Sequence, residues 1–87
     1  MKRDEILDAA RQAVMVDRAA THGEMEDTFT VIASYWSTHL DHDVFPRDVA
    51  AMLALLKLAR ARTNHRHADN WVDLAGYAAC GGELDHD

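Results

Sequence analysis

The run Met52-Leu53-Ala54-Leu55-Leu56-Lys57-Leu58-Ala59 places a single lysine inside an apolar stretch. An ammonium buried there without a partner would be costly, so the chain should supply an anion. The following segment offers one. Asn70, Asp73 and Tyr77 share a helix face by i,i+3 and i,i+4 spacing, and Lys57 and Arg60 lie one turn apart. If the two segments form an antiparallel hairpin about the short polar stretch between them, Lys57 faces Asp73 and Arg60 faces Asn70. Such a seam admits two readings. It can be a buried ion pair that fixes helix register. It can also be a site for a small anionic ligand, with Lys57 and Arg60 on phosphates and Asp73 or Asn70 on a base, a ribose or a metal ion. No acid occurs from Val49 to Ala68, while that span carries Lys57, Arg60, His65, Arg66, His67 and Arg62. This local basic end fits a small anion, or simply a solvated helix terminus.

A second cluster joins His22, Gly23, Glu24, Glu26 and Asp27. Carboxylates at a helix start can hold Mg²⁺ through a few oxygens and several waters. They also serve as ordinary caps and dipole partners, and Thr21 with Glu24 fits a capping box. His39-x-x-His42 and His65-x-His67 lie in or near polar loops with no Cys partner, and read as solvated histidines rather than zinc ligands. Cys80 reads as a small core residue.

The elements that must position these residues are four helices, expected over residues 4–17, 23–40, 46–62 and 70–80. The first carries Ile6, Ala9, Ala10, Ala13 and Val16 on one face. The second carries Met25, Phe29, Ile32, Ala33, Trp36 and Leu40. Pro46 suits the first position of the third, which is apolar almost all round and reads as the central, covered helix. Asp69 or Asn70 can cap the fourth, Trp71, Leu74, Ala75 and Ala78 form its stripe, and Gly81-Gly82 reads as its stop. The expected architecture is a compact all-α four-helix bundle in one domain over 1–87, with 83–87 a frayed acidic tail.

Composition agrees. The chain has 87 residues, a formal net charge of −6 and one cysteine. That balance argues against a duplex nucleic-acid binder, and one cysteine excludes an internal disulfide framework. The opening Met1-Lys2-Arg3-Asp4-Glu5-Ile6 lacks a signal-peptide core, and no apolar run approaches a membrane span. A cytoplasmic protein with no membrane partner is expected. A domain this short buries only about 60% of its unfolded surface, so a homo-oligomer is expected as well.

Three stretches carry a resemblance: Asp17-Arg18-Ala19-Ala20-Thr21-His22-Gly23-Glu24, the helix with Lys57-x-x-Arg60, and Asp69-Asn70-Trp71-Val72-Asp73-Leu74-Ala75-Gly76-Tyr77. Together they resemble a family of small helical domains common in phages and prophages, with the pattern R-A-x-x-Y-G-D, then K-x-x-R, then D-N-x-x-D-x-x-x-Y. His22 stands where tyrosine is usual and Glu24 where aspartate is usual. That family is distantly similar to the all-α nucleotide pyrophosphohydrolases of the MazG type, which hold Mg²⁺ with E-E-x-x-E on one helix and E-x-x-D on another. Asn70-x-x-Asp73 resembles the second motif with its first acid replaced, and Glu24, Glu26 and Asp27 stand near the first without matching its spacing.

The resemblance implies a nucleotide-handling protein, with Mg-dependent pyrophosphate release as its catalytic form. Glu24 and Asp73 would then be catalytic, and Glu24, Asp27 and Asp73 would hold the metal. Lys57 and Arg60 would hold phosphates, and Asn70, Tyr77 and His22 would complete the ligand site. A non-catalytic nucleotide-sequestering module and a structural or partner-binding bundle remain the alternatives.

Overall fold

Four helical segments follow the four apolar periodicities, in a computed structural model that describes residues 1–17 and 24–84. Helix α1 spans Arg3–Gln12 and continues into a π-helical turn, Ala13–Asp17. Helix α2 spans Met25–Leu40, α3 spans Pro46–Thr63 and α4 spans Ala68–Glu83. The fold is an all-α four-helix bundle.

Local chemistry sets most of the ends. The Glu5 carboxylate accepts from the Lys2 amide at 2.9 Å and opens α1. Gln12 Nε2 donates to Asp17 Oδ1 at 3.2 Å across i,i+5, the offset that a π turn brings together. Asp41 takes a left-handed φ of 52° and closes α2. Ser37 then clamps the connection: Val44 N–H donates to Ser37 Oγ at 2.8 Å, and the Ser37 hydroxyl donates to the Val44 carbonyl at 3.1 Å. Pro46 takes the first position of α3, and Asp48 accepts from the Phe45 amide at 2.9 Å.

The core gathers Phe29 and Ala33 of α2, Val49 and Ala50 of α3, and Cys80 and Leu84 at the end of α4. Val14, Met25, Ile32, Trp36, Leu53 and Tyr77 pack around it.

Several expectations need correction. Helix α4, not α3, is the central element: it packs along α3 and also against α1 and the π turn. Helix α3 leaves Met52, Leu55, Leu56 and Leu58 exposed. Its all-round apolar pattern therefore reflects one covered side and one bare side. Gly81-Gly82 do not stop α4, which runs through Glu83 to a buried Leu84. A Cβ on Gly81 would sit 3.3 Å from the Ala50 Cβ, so glycine here lets α4 approach α3 closely. His67, not Asp69 or Asn70, is the residue before α4; Asp69 lies in the first turn and Asn70 is buried. Trp71, expected in the core, is 38% exposed, and its indole N–H donates to the His65 carbonyl at 2.7 Å. Leu40 and Val16, expected on covered faces, are also exposed. The capping box at Thr21, with Gly23 as the start of α2, lies outside the described residues; α2 begins at Met25, after Glu24.

Candidate functional site

The hairpin of α3 and α4 sets the register of the polar seam. Lys57 Nζ lies 2.8 Å from Asp73 Oδ2, as the spacing predicts, and the two side chains are 15% and 20% exposed. One charge on each helix at the same level neutralises what either would cost alone.

Asp73 also lines a cavity of about 380 Å³ between α4, the start of α2 and the π turn. That volume lies within the range of small-molecule pockets, roughly 300–1,000 Å³. Glu24, Glu26 and Thr28 come from the start of α2, and Asp73, Tyr77 and Glu83 come from α4. The apolar wall is Val14, Met25, Phe29 and Val72. Gly76 faces the π turn at the same place, where a Cβ would lie 2.9 Å from Val14 Cγ1. The missing side chain is what allows the π turn this close to α4.

Carboxylates stand along the cavity at Glu24, Glu26 and Glu83, while Lys57 touches it through Asp73. One turn beyond Lys57, toward the α3–α4 connection, Arg60 is exposed, and Arg62 and Arg66 follow. Acceptors therefore line the cavity, and cations lie beyond its Asp73 edge.

Three of the expected site residues meet here: Glu24, Asp73 and Tyr77 line the cavity, and Lys57 joins through its ion pair. Arg60, Asn70 and Asp27 are not among its lining residues; Arg60 and Asp27 are exposed, and Asn70 is buried at the start of α4. His22 lies outside the described residues. Sequence reasoning missed Phe29 and Met25 as walls, and it missed Glu83. The signal for Glu83 was present. If α4 is carried past Gly82, Asp73, Tyr77, Cys80 and Glu83 fall on one face at i, i+4, i+7 and i+10.

Among the described residues, no three His, Cys, Asp or Glu side chains stand close enough to share a metal ion. Asp73, one of the three acids in the Glu24, Asp27 and Asp73 set, holds the Lys57 ammonium. Also among the described residues, no helix is long and apolar enough to cross a membrane.

The fold and the two motif-bearing helices define a class, that of small all-α domains associated with phages. The chain belongs to the family described as a domain of unknown function, DUF6378, whose model matches residues 5–85. It is 32% identical over 77 residues to the Gene 55 protein of Mycobacterium phage D29, covering 88% of this chain and 51% of that protein. It is 39% identical over 74 residues to the Gene 55 protein of Mycobacterium phage L5, covering 84% of this chain and 47% of that one. The chain thus spans about half the length of the curated relatives it matches. No solved structure matches it.

Proposed function

We propose that this domain handles nucleotides by binding one in the cavity between α2 and α4. The supporting observation is that Glu24, Asp73 and Tyr77, from two separate helices, line one cavity, with Lys57 bound to Asp73 at its edge. The apolar wall of Met25, Phe29 and Val72 suits a heterocyclic base. The carboxylates of Glu24, Glu26 and Glu83 are acceptors for its amino groups, and the Tyr77 ring offers a surface and a hydroxyl for the sugar. The phosphates lie toward Lys57 and Arg60, past the Asp73 edge of the cavity. Lys57 is the group that discriminates: it leaves Asp73 in part to meet a phosphate, and Asp73 then accepts from the ligand.

The resemblance to MazG-type pyrophosphohydrolases favours the nucleotide class. The catalytic form would need the cavity carboxylates to converge on a metal, so binding without cleavage is the reading we adopt.

Thermal shifts against nucleoside mono- and triphosphates, each with and without Mg²⁺, test this. A ligand at about 100 times its dissociation constant stabilises the fold by roughly 2.7 kcal/mol. A metal-independent shift that Tyr77→Ala abolishes supports binding. A shift only with Mg²⁺, together with pyrophosphate release, would replace it with the catalytic reading. No shift with any nucleotide overturns both.

A further inference from the structure

The outer side of α3 is bare and apolar. Met52, Leu55, Leu56 and Leu58 are 45%, 62%, 43% and 48% exposed. Monomeric proteins rarely leave a contiguous apolar patch of more than a few hundred Å² open to water. The stripe extends onto α4 through a cleft formed by Leu58, Arg62, His65 and Trp71.

The order of residues along this face says what covers it. Asp48, Leu55 and Arg62 recur every seven residues, so they lie on one line down the helix. That line reads acid, apolar, base. It is complementary to itself only when reversed. An antiparallel copy with its two-fold axis at Leu55 sets Asp48 beside the partner's Arg62, and Arg62 beside the partner's Asp48. The same axis sets Met52 opposite the partner's Leu58 and Ala51 opposite the partner's Ala59. Small alanines on both sides of the axis permit the usual 8–10 Å approach of two packed helices. A parallel copy would instead oppose aspartate to aspartate and arginine to arginine. Charges flanking the helix extend the match: Asp41 and Asp43 precede α3, and Arg66 follows it. Asp48 keeps its capping bond to the Phe45 amide, and its carboxylate has lone pairs left for a guanidinium. A helix of 18 residues is about 27 Å long, so the contact runs the length of the domain's longest helix.

We propose that the chain forms a two-fold homodimer through the outer face of α3, with Leu55 on the axis and Asp48 of each copy paired with the partner's Arg62. Such a contact is isologous and closes on itself, which limits assembly to the dimer. It goes beyond the ligand reading and does not rest on it: Asp48, Leu55 and Arg62 do not line the cavity, and the ligand reading draws only Lys57 and Arg60 from α3.

Light scattering and sedimentation equilibrium on the intact chain at tens of micromolar test the proposal. The expected mass is twice 9.7 kDa. Leu55→Glu places two carboxylates on the axis and raises the dimer dissociation constant at least about tenfold. The exposure of Leu55 leaves the helical fold intact, which circular dichroism verifies. Arg62→Glu weakens the dimer as well, and added salt weakens the wild type. Leu55→Cys cross-links to its own copy under mild oxidation much faster than Leu7→Cys, an exposed control on α1. A monomer at these concentrations overturns the proposal and leaves the face to a different partner. A dimer indifferent to Leu55→Glu, or equal cross-linking at positions 55 and 7, overturns it too. The nucleotide response of Leu55→Glu stays at the wild-type level, so failure of one proposal is distinguishable from failure of the other.

Discussion

Lys57 and Asp73 meet at 2.8 Å between α3 and α4, and each retains at most a fifth of its side-chain exposure. The pair therefore locks the relative height of the two helices that form the most extensive contact in the bundle. A slip by one turn would separate the two charges and break the pair.

Removing the ammonium alone is the costly change. Lys57→Met should lower unfolding stability by about 1–3 kcal/mol, because Asp73 loses its cation in a mostly buried setting. Lys57→Met/Asp73→Leu should return to within about 1 kcal/mol of wild type, since apolar replacement of a whole buried pair is often neutral. Urea denaturation of the two variants checks this. A stable single variant would mean that the pair does not set the register. A stable double variant that no longer responds to nucleotide would separate the site from the scaffold.

Gly76 offers a test of the cavity wall. Gly76→Ala gains about 1 kcal/mol in helix propensity, but its Cβ meets Val14 Cγ1 at 2.9 Å. Overpacking of that kind costs about 1–3 kcal/mol, so the single variant should be less stable than wild type. Gly76→Ala/Val14→Ala should recover more than additivity allows, read as a coupling energy in a double-mutant cycle. Strict additivity would show that the π turn moves aside freely.

The four helices were legible because apolar spacing and Pro46 are local signals. The seam was legible because a lone lysine in an apolar run demands a partner, and hairpin geometry left Asp73 as the acid opposite it. The bare side of α3 was not legible. Its leucines and alanines look the same whether a neighbour covers them or water does. The length of α4 was misread for a related reason: Gly81-Gly82 looks like a helix stop, and only the approach of Ala50 reveals a packing role. The cavity was half visible. Its α4 face follows from periodicity, but its other wall comes from a π turn and from Phe29, and neither residue type announces a ligand.

Trp71 ties the α3–α4 connection to the helix that follows. Trp71→Phe removes the 2.7 Å bond to the His65 carbonyl and should cost about 1 kcal/mol. Amide exchange should rise around residues 64–67 with little change in the core. Unchanged protection there would mean that the connection is held by its own turns.

Glu24 is exposed at the cavity mouth, so Glu24→Gln should leave stability within about 0.5 kcal/mol of wild type. Its effect should fall on ligand selectivity, by weakening the response to bases that carry an exocyclic amino group relative to those that do not. Calorimetric titration of an amino-bearing and an oxo-bearing nucleotide reads the difference. Equal loss for both would remove Glu24 from base recognition.

The reciprocal bonds between Ser37 and Val44 bear on the order in which the molecule assembles. They close a seven-residue span, and the α3–α4 connection is shorter still, so both hairpins form from neighbours along the chain. Helix α1 and its π turn must instead find α4 from the far end of the chain, and contacts between distant segments are slow to form. The cavity takes one wall from that π turn. It should thus be completed late in folding, after the α2–α3–α4 platform forms. Pulse-labelled hydrogen exchange should find α3 amides protected before those of α1, and nucleotide should leave the earlier phase unchanged.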